Sequence, residues 1–208
     1  ASVLAVDERQ RWPSGTQYGF ADNRQVNARA GATWSTDALR VESTVSLAQL
    51  DHLSRTSQYT SPIAGTGDTQ LQRLGQGVVL ISWHAGAAKF DAGALLRQEY
   101  IRSSDGRIAG GSRTLTSAEP YVHLEWTTSR WSVAPGLRAV WSEQWGRSVT
   151  PRLAARFHVD SSLTIRASVG RGFRAPDFKE LYLDFSNDAA LYAVHGNPAL
   201  RPEHADNV

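Results

Sequence analysis

The stretch VNARAGATW at residues 26–34 turns through Ser35, Thr36 and Asp37 into LRVESTVSL at residues 39–47, and its reading sets the fold class. Val26, Ala28, Ala30, Ala32 and Trp34 share one side of a period of two, while Asn27, Arg29, Gly31 and Thr33 share the other. On the return, Leu39, Val41, Val45 and Leu47 alternate with Arg40, Glu42, Thr44 and Ser46. Successive side chains of an extended chain point to opposite faces, so this period predicts a β-hairpin with one apolar and one polar face.

Working outward, the same rhythm returns. Phe90, Ala92, Ala94 and Leu96 oppose Asp91, Arg97 and Glu99, and Val122, Leu124 and Trp126 end the next strand. Trp131, Val133, Pro135, Leu137, Ala139 and Trp141 alternate with Ser132, Gly136, Arg138 and Ser142. Leu153, Ala155, Phe157 and Val159 alternate with Arg152, Arg156 and His158, and after Asp160-Ser161-Ser162 come Leu163, Ile165, Ala167 and Val169 against Thr164, Arg166, Ser168 and Gly170. Tight turns near residues 35–37, 85–88, 127–130 and 160–162 alternate with long polar stretches near residues 49–76, 103–113 and 143–148. Tight turns therefore fall on one rim and large loops on the other, as in an up-and-down meander. Trp34, Trp83, Trp126 and Trp131 sit beside tight turns, where amphipathic rings mark a membrane interface. The expectation is an all-β, antiparallel, up-and-down transmembrane β-barrel, partial, with about eight or nine strands of about 9–11 residues each. Pro135 is a weak point in that pattern, because proline cannot donate to a ladder.

Composition narrows the classes. The chain has 208 residues, 22 Lys+Arg against 20 Asp+Glu, and only Lys89 and Lys179 are lysines. That balance argues against an electrostatic nucleic-acid binder. The hydrophobic share of 41% argues against disorder, and the absence of Cys excludes disulfide scaffolds and thiolate chemistry. No long apolar run predicts a transmembrane helix, and the segment from Ala1 does not resemble a signal peptide. No Gly-x-Ser-x-Gly elbow or Walker loop occurs.

The last third carries a family resemblance. Pro151 and Arg152, then Gly170, Gly172, Phe173, Arg174, Ala175 and Pro176, then Glu180, Leu181 and Tyr182, then Gly196, Asn197, Pro198, Leu200, Pro202 and Glu203 form an ordered set. The set resembles the barrel of TonB-dependent outer-membrane receptors, most nearly the ferrienterochelin and colicin receptor group. The resemblance implies a bacterial outer-membrane location, a ferric siderophore or similar ligand, contact with outer-membrane lipid, coupling to the TonB complex through a plug domain, and no cofactor. With no plug before the first strand and too few strands to close a receptor-sized barrel, residues 1–208 read as a fragment of the barrel domain. Two other classes stay open: a passive outer-membrane porin and a soluble all-β carbohydrate-active enzyme.

For the motif itself, the expected role is structural. Pro176 ends a strand, and Phe178, Leu181, Tyr182 and Phe185 form an apolar turn over the rim. Ligand contact is expected from loops at residues 7–24, 49–76, 103–113, 143–148 and 174–205. These carry Arg55, Tyr59, Arg107, Trp145, Arg147, Tyr182, Tyr192 and His195. Guanidinium and aromatic groups suit an anionic aromatic chelate. No catalytic residue and no metal site is expected: His84, His123 and His158 lack ligand spacing and read as lumen lining, and Glu42, Asp91, Glu99 and Glu125 read as lumen ion pairs.

Overall fold

The computed structural model, described over residues 1–187 and 191–208, is dominated by one antiparallel sheet of ten strands in the order β1-β2-β3-β4-β5-β6-β7-β8-β9-β12. The strands are β1 (Ser2–Ser14), β2 (Gln17–Ser35), β3 (Leu39–Ser57), β4 (Asp68–Ala85), β5 (Ala88–Ser103), β6 (Ser112–Thr127), β7 (Trp131–Ser142), β8 (Gly146–His158), β9 (Thr164–Arg174) and β12 (Glu203–Asn207). Between β9 and β12 the chain leaves the sheet to form a short helix, α1 (Phe178–Tyr182), and a small hairpin, β10 (Asp184–Asn187) with β11 (Tyr192–His195). The sheet does not close on itself, since β1 and β12 lie at its two edges. This is a partial up-and-down barrel wall.

Register carries the predicted alternation across the whole wall. Val41 faces Trp34 on one side and Ile81 on the other; Ile81 faces Ala92, Ala92 faces Val122, and Val122 faces Leu137. One side of the sheet is thereby apolar from β2 to β9. On that side Leu47 is 59% exposed, Leu96 60% and Val122 45%, whereas the polar neighbours Tyr121, His123 and Glu125 are more covered. A water-soluble sandwich buries its apolar face. Here the apolar face is the open one, which fits hydrocarbon as its solvent and argues against a water-soluble sandwich.

Aromatic residues mark one border of the apolar band. Trp83 lies opposite Leu39 and Phe90, and Trp131 stacks on Phe157 with ring centroids 4.1 Å apart. Pro135 sits inside the sheet, and the β6–β7 ladder adapts: pairing is interrupted between His123↔Gly136 and Trp126↔Val133, and again between Ala118↔Trp141 and Tyr121↔Arg138, beside Pro120. Each missing N–H therefore meets a gap in the ladder. At Gly93 an added Cβ would stand 2.7 Å from both the Val79 carbonyl oxygen and the Tyr121 ring, so the wide inward Tyr121 ring needs a glycine beside it.

The strands run longer than the alternation predicted. β2 and β3 have 19 residues each and β4 has 18, so they rise well past the apolar band. The segment 7–24, read as a loop, is a hairpin: β1 and β2 pair from Ser2↔Arg29 to Ser14↔Gln17 around Gly15, whose φ of 61° suits a tight turn. Residues 49–76 are also mostly ladder, leaving a connection only at residues 58–67. Apolar residues such as Phe20, Leu50, Leu53 and Leu71 are scattered over both faces of these extensions among polar ones, so pairing continues there with no amphipathic signal. The loops at 103–113, 143–148 and 174–205 fall at the same rim, and residues 188–190 of the last lie outside the described residues.

Candidate ligand-binding mouth

The site at the long-loop rim is built from the excursion between β9 and β12. Pro176 is buried and stops β9 at Arg174. Asp177 then caps α1 in a capping box: its carboxylate accepts from the Glu180 N–H at 2.8 Å, and the Glu180 carboxylate accepts from the Asp177 N–H at 2.9 Å. Arg174 donates to Glu180 at 2.5 Å and to Glu203 at 3.3 Å, tying the helix to β12. The Arg174 hydrogen bond and then the Asp177 N–H hold the Glu180 carboxyl below its ordinary pKa.

One short turn of helix cannot stand alone. It is held by its apolar side, since Leu181 is fully buried and Tyr182 is 6% exposed, and both pack with Ile101 of β5, Ile108 of the β5–β6 loop and Leu115 of β6, with Trp145 and Phe178 at the margin. Ile101 and Leu115 belong to the polar, inward side of the sheet, so the excursion folds into the lumen rather than away from it. Gly196 returns the chain against the helix so closely that a Cβ there would meet the Tyr182 nitrogen at 2.5 Å. The Asn197 N–H donates to the Glu180 carbonyl at 2.8 Å, the Asn197 side chain accepts from Ala199 N–H at 2.9 Å, and the Pro198 carbonyl accepts from the Gln144 amide at 3.0 Å. Most residues that carry the family resemblance thus touch one another. Phe173 meets His204 of β12 at 5.6 Å, while Leu200 donates its N–H to the Asn197 carbonyl at 3.1 Å and Pro202 leads into Glu203.

The knot joins three connections. The Ala109 N–H donates to the Tyr182 carbonyl at 3.0 Å, the Asp184 N–H to the Arg107 carbonyl at 2.8 Å, and the Tyr182 hydroxyl to Gln144 at 2.5 Å. Of the expected ligand residues, Arg107, Trp145, Tyr182, Tyr192 and His195 are gathered in it. The Arg107 guanidinium lies 4.9 Å over the Phe185 ring and pairs with Asp105 at 3.0 Å, and Tyr192 lies 5.8 Å from Phe185. His195 is exposed and 2.9 Å from Asp184. Tyr182 is enclosed, with Arg113 over its ring at 5.0 Å, and the Trp145 indole N–H is buried without a partner. Arg147 is exposed on β8. Apart from the knot, Arg55 sits on β3, not in a loop, and pairs with Asp22; Tyr59 is 66% exposed in the β3–β4 connection.

Below α1 an open groove of about 600 Å³ faces the lumen, bordered by Gln70, Gln72, Arg97, Arg107, Phe178 and Lys179. Its cations and amides share the lining with the acids Glu99 and Asp177, the rings of Tyr100 and Phe178 and the aliphatic Leu50, Ile101 and Ile108; Arg97 is paired with Glu99. Alternation in the sequence hid Gln70 and Gln72, because they lie in a stretch read as loop. On the wall below, Arg40 pairs with Glu42 and Arg138 with Glu119, Lys89 lies 3.0 Å from Asp91, and His123 lies 3.8 Å from the same carboxylate. Glu125, read as an ion pair, instead accepts from the Thr127 hydroxyl at 3.4 Å. Among the described residues no three His, Asp or Glu side chains converge as a metal site would require.

Comparison with known proteins agrees with this architecture. Over 87 residues the chain is 31% identical to the vitamin B12 transporter BtuB of Photobacterium profundum, covering 42% of this chain and 13% of that protein. Over 88 residues it is 27% identical to an iron-regulated outer membrane virulence protein of Vibrio cholerae, covering 42% of this chain and 14% of that one. Among solved structures it is similar to the siderophore receptor PirA of Pseudomonas aeruginosa, with a TM-score of 0.59 at 13% identity over 90% of this chain and 44% of that one. The copper transporter OprC gives a TM-score of 0.54 at 17% identity over 86% of this chain and 34% of that one. The identities to the solved structures carry the fold alone, and the chain spans less than half the length of each protein it matches. The model of the TonB-dependent receptor-like β-barrel family matches residues 4–208. With that match over nearly its whole length, the chain belongs to the TonB-dependent receptor β-barrel family, a family of bacterial outer-membrane transport receptors.

Proposed function

We propose that residues 1–208 are a section of the barrel of a TonB-dependent transporter that takes up a ferric siderophore, with β1 and β12 pairing to further strands and a plug domain in the lumen coupling to TonB. The observation that carries the reading is the rim knot, which folds aromatic and cationic groups inward over a groove of mixed apolar and polar lining. Arg107, Lys179, Phe185 and Tyr192 offer charge and ring faces to an anionic aromatic chelate. Unsatisfied strand edges in lipid cost several kcal/mol per group, which supports further strands at both edges. The names of the relatives speak of a siderophore, vitamin B12, copper and regulation by iron, and the siderophore receptor is the one that matches this reading.

The test is binding to the full-length receptor, followed by uptake in cells with and without TonB. Saturable binding of a ferric catecholate and TonB-dependent uptake are expected. Binding of cobalamin, haem, copper or a glycan in its place refutes the ligand, and uncoupled passage of small solutes refutes the transporter in favour of a porin.

A further inference from the structure

The outward side of the sheet changes character toward the long-loop rim. Outward arginines on the described strands, among them Arg24 of β2, Arg73 of β4 and Arg102 of β5, all lie toward that rim, whereas cations nearer the tight turns, such as Arg40 and Lys89, point inward. Trp83 marks the opposite border of the apolar band on the same face of β4 as Arg73. Between them the strand rises about 33 Å, which at the usual tilt is about 25 Å across the membrane, the height of a barrel's apolar band. The arginines therefore stand where lipid headgroups begin. Among the described residues the ion pairs on the outward side of the strands are Arg55 with Asp22 and Arg171 with Asp206, so Arg24, Arg73 and Arg102 have none. Asp7 and Asp51 flank Arg24 in register without reaching it. Asp51 accepts from the Gln49 amide at 2.7 Å, and Arg73 donates to the Gln49 carbonyl at 2.9 Å.

The three arginines border one open hollow of about 990 Å³, whose band side is made by Val26, Ala28, Leu47 and Gly75. In register Gly75 lies between Leu47 and Gln98, and Gly77 lies between Val45 and Leu96. A trough thus runs down β4 between the exposed side chains of Leu47 and Leu96. Neither glycine has a positive φ, and an added Cβ at Gly77 meets nothing within 4 Å, so the packing of the chain itself does not call for glycine there. Glycine inside a strand weakens it and marks a place where a ligand or another backbone comes close.

We infer that this hollow holds a lipid of the outer leaflet bearing more than one phosphate, its phosphates on Arg24, Arg73 and Arg102 and one acyl chain laid over Gly75 and Gly77. Cationic edge above and apolar trough below repeat an amphiphile's own order of headgroup and chain, at the height where headgroups lie. Guanidinium groups bind phosphate oxygens through paired, charge-assisted hydrogen bonds. Arg73 and Arg102 are diagonal neighbours, roughly 7–8 Å apart, and can share one phosphate. Arg24 lies two strands from Arg73, roughly 10 Å across the sheet, and so takes a second. The inference rests on the outer-membrane location of the family and is independent of which ligand the receptor transports.

The experiment strips the full-length receptor of lipid by detergent exchange and titrates it with diphosphoryl lipid A, with the same lipid after phosphatase treatment, and with phosphatidylethanolamine. Native mass spectrometry counts the bound copies, and heat-dependent gel mobility checks that each variant is folded. Expected is retention of the diphosphoryl lipid at concentrations where the other two are lost. Arg73→Ala with Arg102→Ala should weaken retention about a hundredfold and Arg24→Ala about tenfold, the scale of one charged hydrogen bond for each guanidinium removed. Gly77→Leu fills the trough with every charge in place and should weaken retention about tenfold. Arg171→Ala, which removes an outward arginine already paired with Asp206, should leave it unchanged. Equal retention of the phosphatase-treated lipid, or unchanged retention in the double variant, overturns the inference. A loss in Arg171→Ala as large as in Arg24→Ala refutes the location, and unchanged retention in Gly77→Leu refutes the seat for the acyl chain.

Discussion

Replacing Leu181 with alanine should open the rim knot without unfolding the barrel wall. Leu181 is fully buried among Ile101, Ile108, Leu115 and Tyr182, and α1 is one short turn with little stability of its own. Large-to-small substitution at such a site costs about 3–5 kcal/mol, because the cavity left behind cannot fully collapse. The ladder from β1 to β9 does not depend on Leu181, so the loss appears as local opening. At about 3 kcal/mol, opening becomes on the order of a hundredfold more frequent. Amide hydrogen exchange in the full-length protein reads this directly. The N–H groups of Ala109, Asp184, Gly196 and Asn197, all bonded across the knot, should accelerate together, while the Val45 amide of the β2–β3–β4 ladder should keep its rate. Unchanged exchange at the four knot amides refutes the claim that Leu181 is the keystone. Equal acceleration at Val45 refutes the claim that knot and wall are separate units.

Three further outcomes follow from other parts of the structure. Val122→Arg places a charge in the middle of the apolar band and should cost about 2–4 kcal/mol of barrel stability, whereas His123→Arg on the lumen side should be tolerated; urea titration of folding in lipid vesicles compares them. Because Glu180 has a depressed pKa when folded, its contribution is complete above the ordinary glutamate pKa of about 4.3 and disappears as pH falls through the lower folded value. Pepsin nicking in residues 175–202 should therefore rise steeply between about pH 5 and pH 3 in the native protein, and E180Q should be nicked readily at both values. Arg107→Ala combined with Tyr192→Ala should weaken ferric-chelate binding by about tenfold or more with the fold intact, measured by ligand quenching of tryptophan fluorescence.

Alternation made the wall legible wherever one face meets lipid and the other meets water. Val122, Leu124 and Trp126 read as a strand because their neighbours Tyr121, His123 and Glu125 are polar. Above the band that contrast ends: Glu8, Asn23 and His52 join β1, β2 and β3 through side-chain hydrogen bonds of 3.2 and 2.6 Å, yet each alone reads as a loop residue. Arg55 looked free because its partner Asp22 is 33 residues away in sequence. At the mouth, the spelling of residues 173–182 and 196–203 announced a rim device, and Pro176 marked the strand end. Its anchors were not visible: Tyr182 reaches Gln144 across 38 positions, and Ile108 shows no periodicity that would place it under α1. The facing of Arg156 and Arg166 is legible only in register, since the two become neighbours through the β8–β9 pairing.

The knot also governs which parts of the mouth can drift over evolutionary time. The β5–β6 connection is stitched to α1 through Arg107, Ile108 and Ala109, and the β7–β8 turn is stitched to it through Gln144, so an insertion in either must be matched by one in residues 175–202. Among the described residues, the β3–β4 connection bearing Tyr59 and Ile63 is bonded only to itself and to the strand end beside it. That tip can lengthen without disturbing the knot, while the cross-braced arch beside it keeps its dimensions.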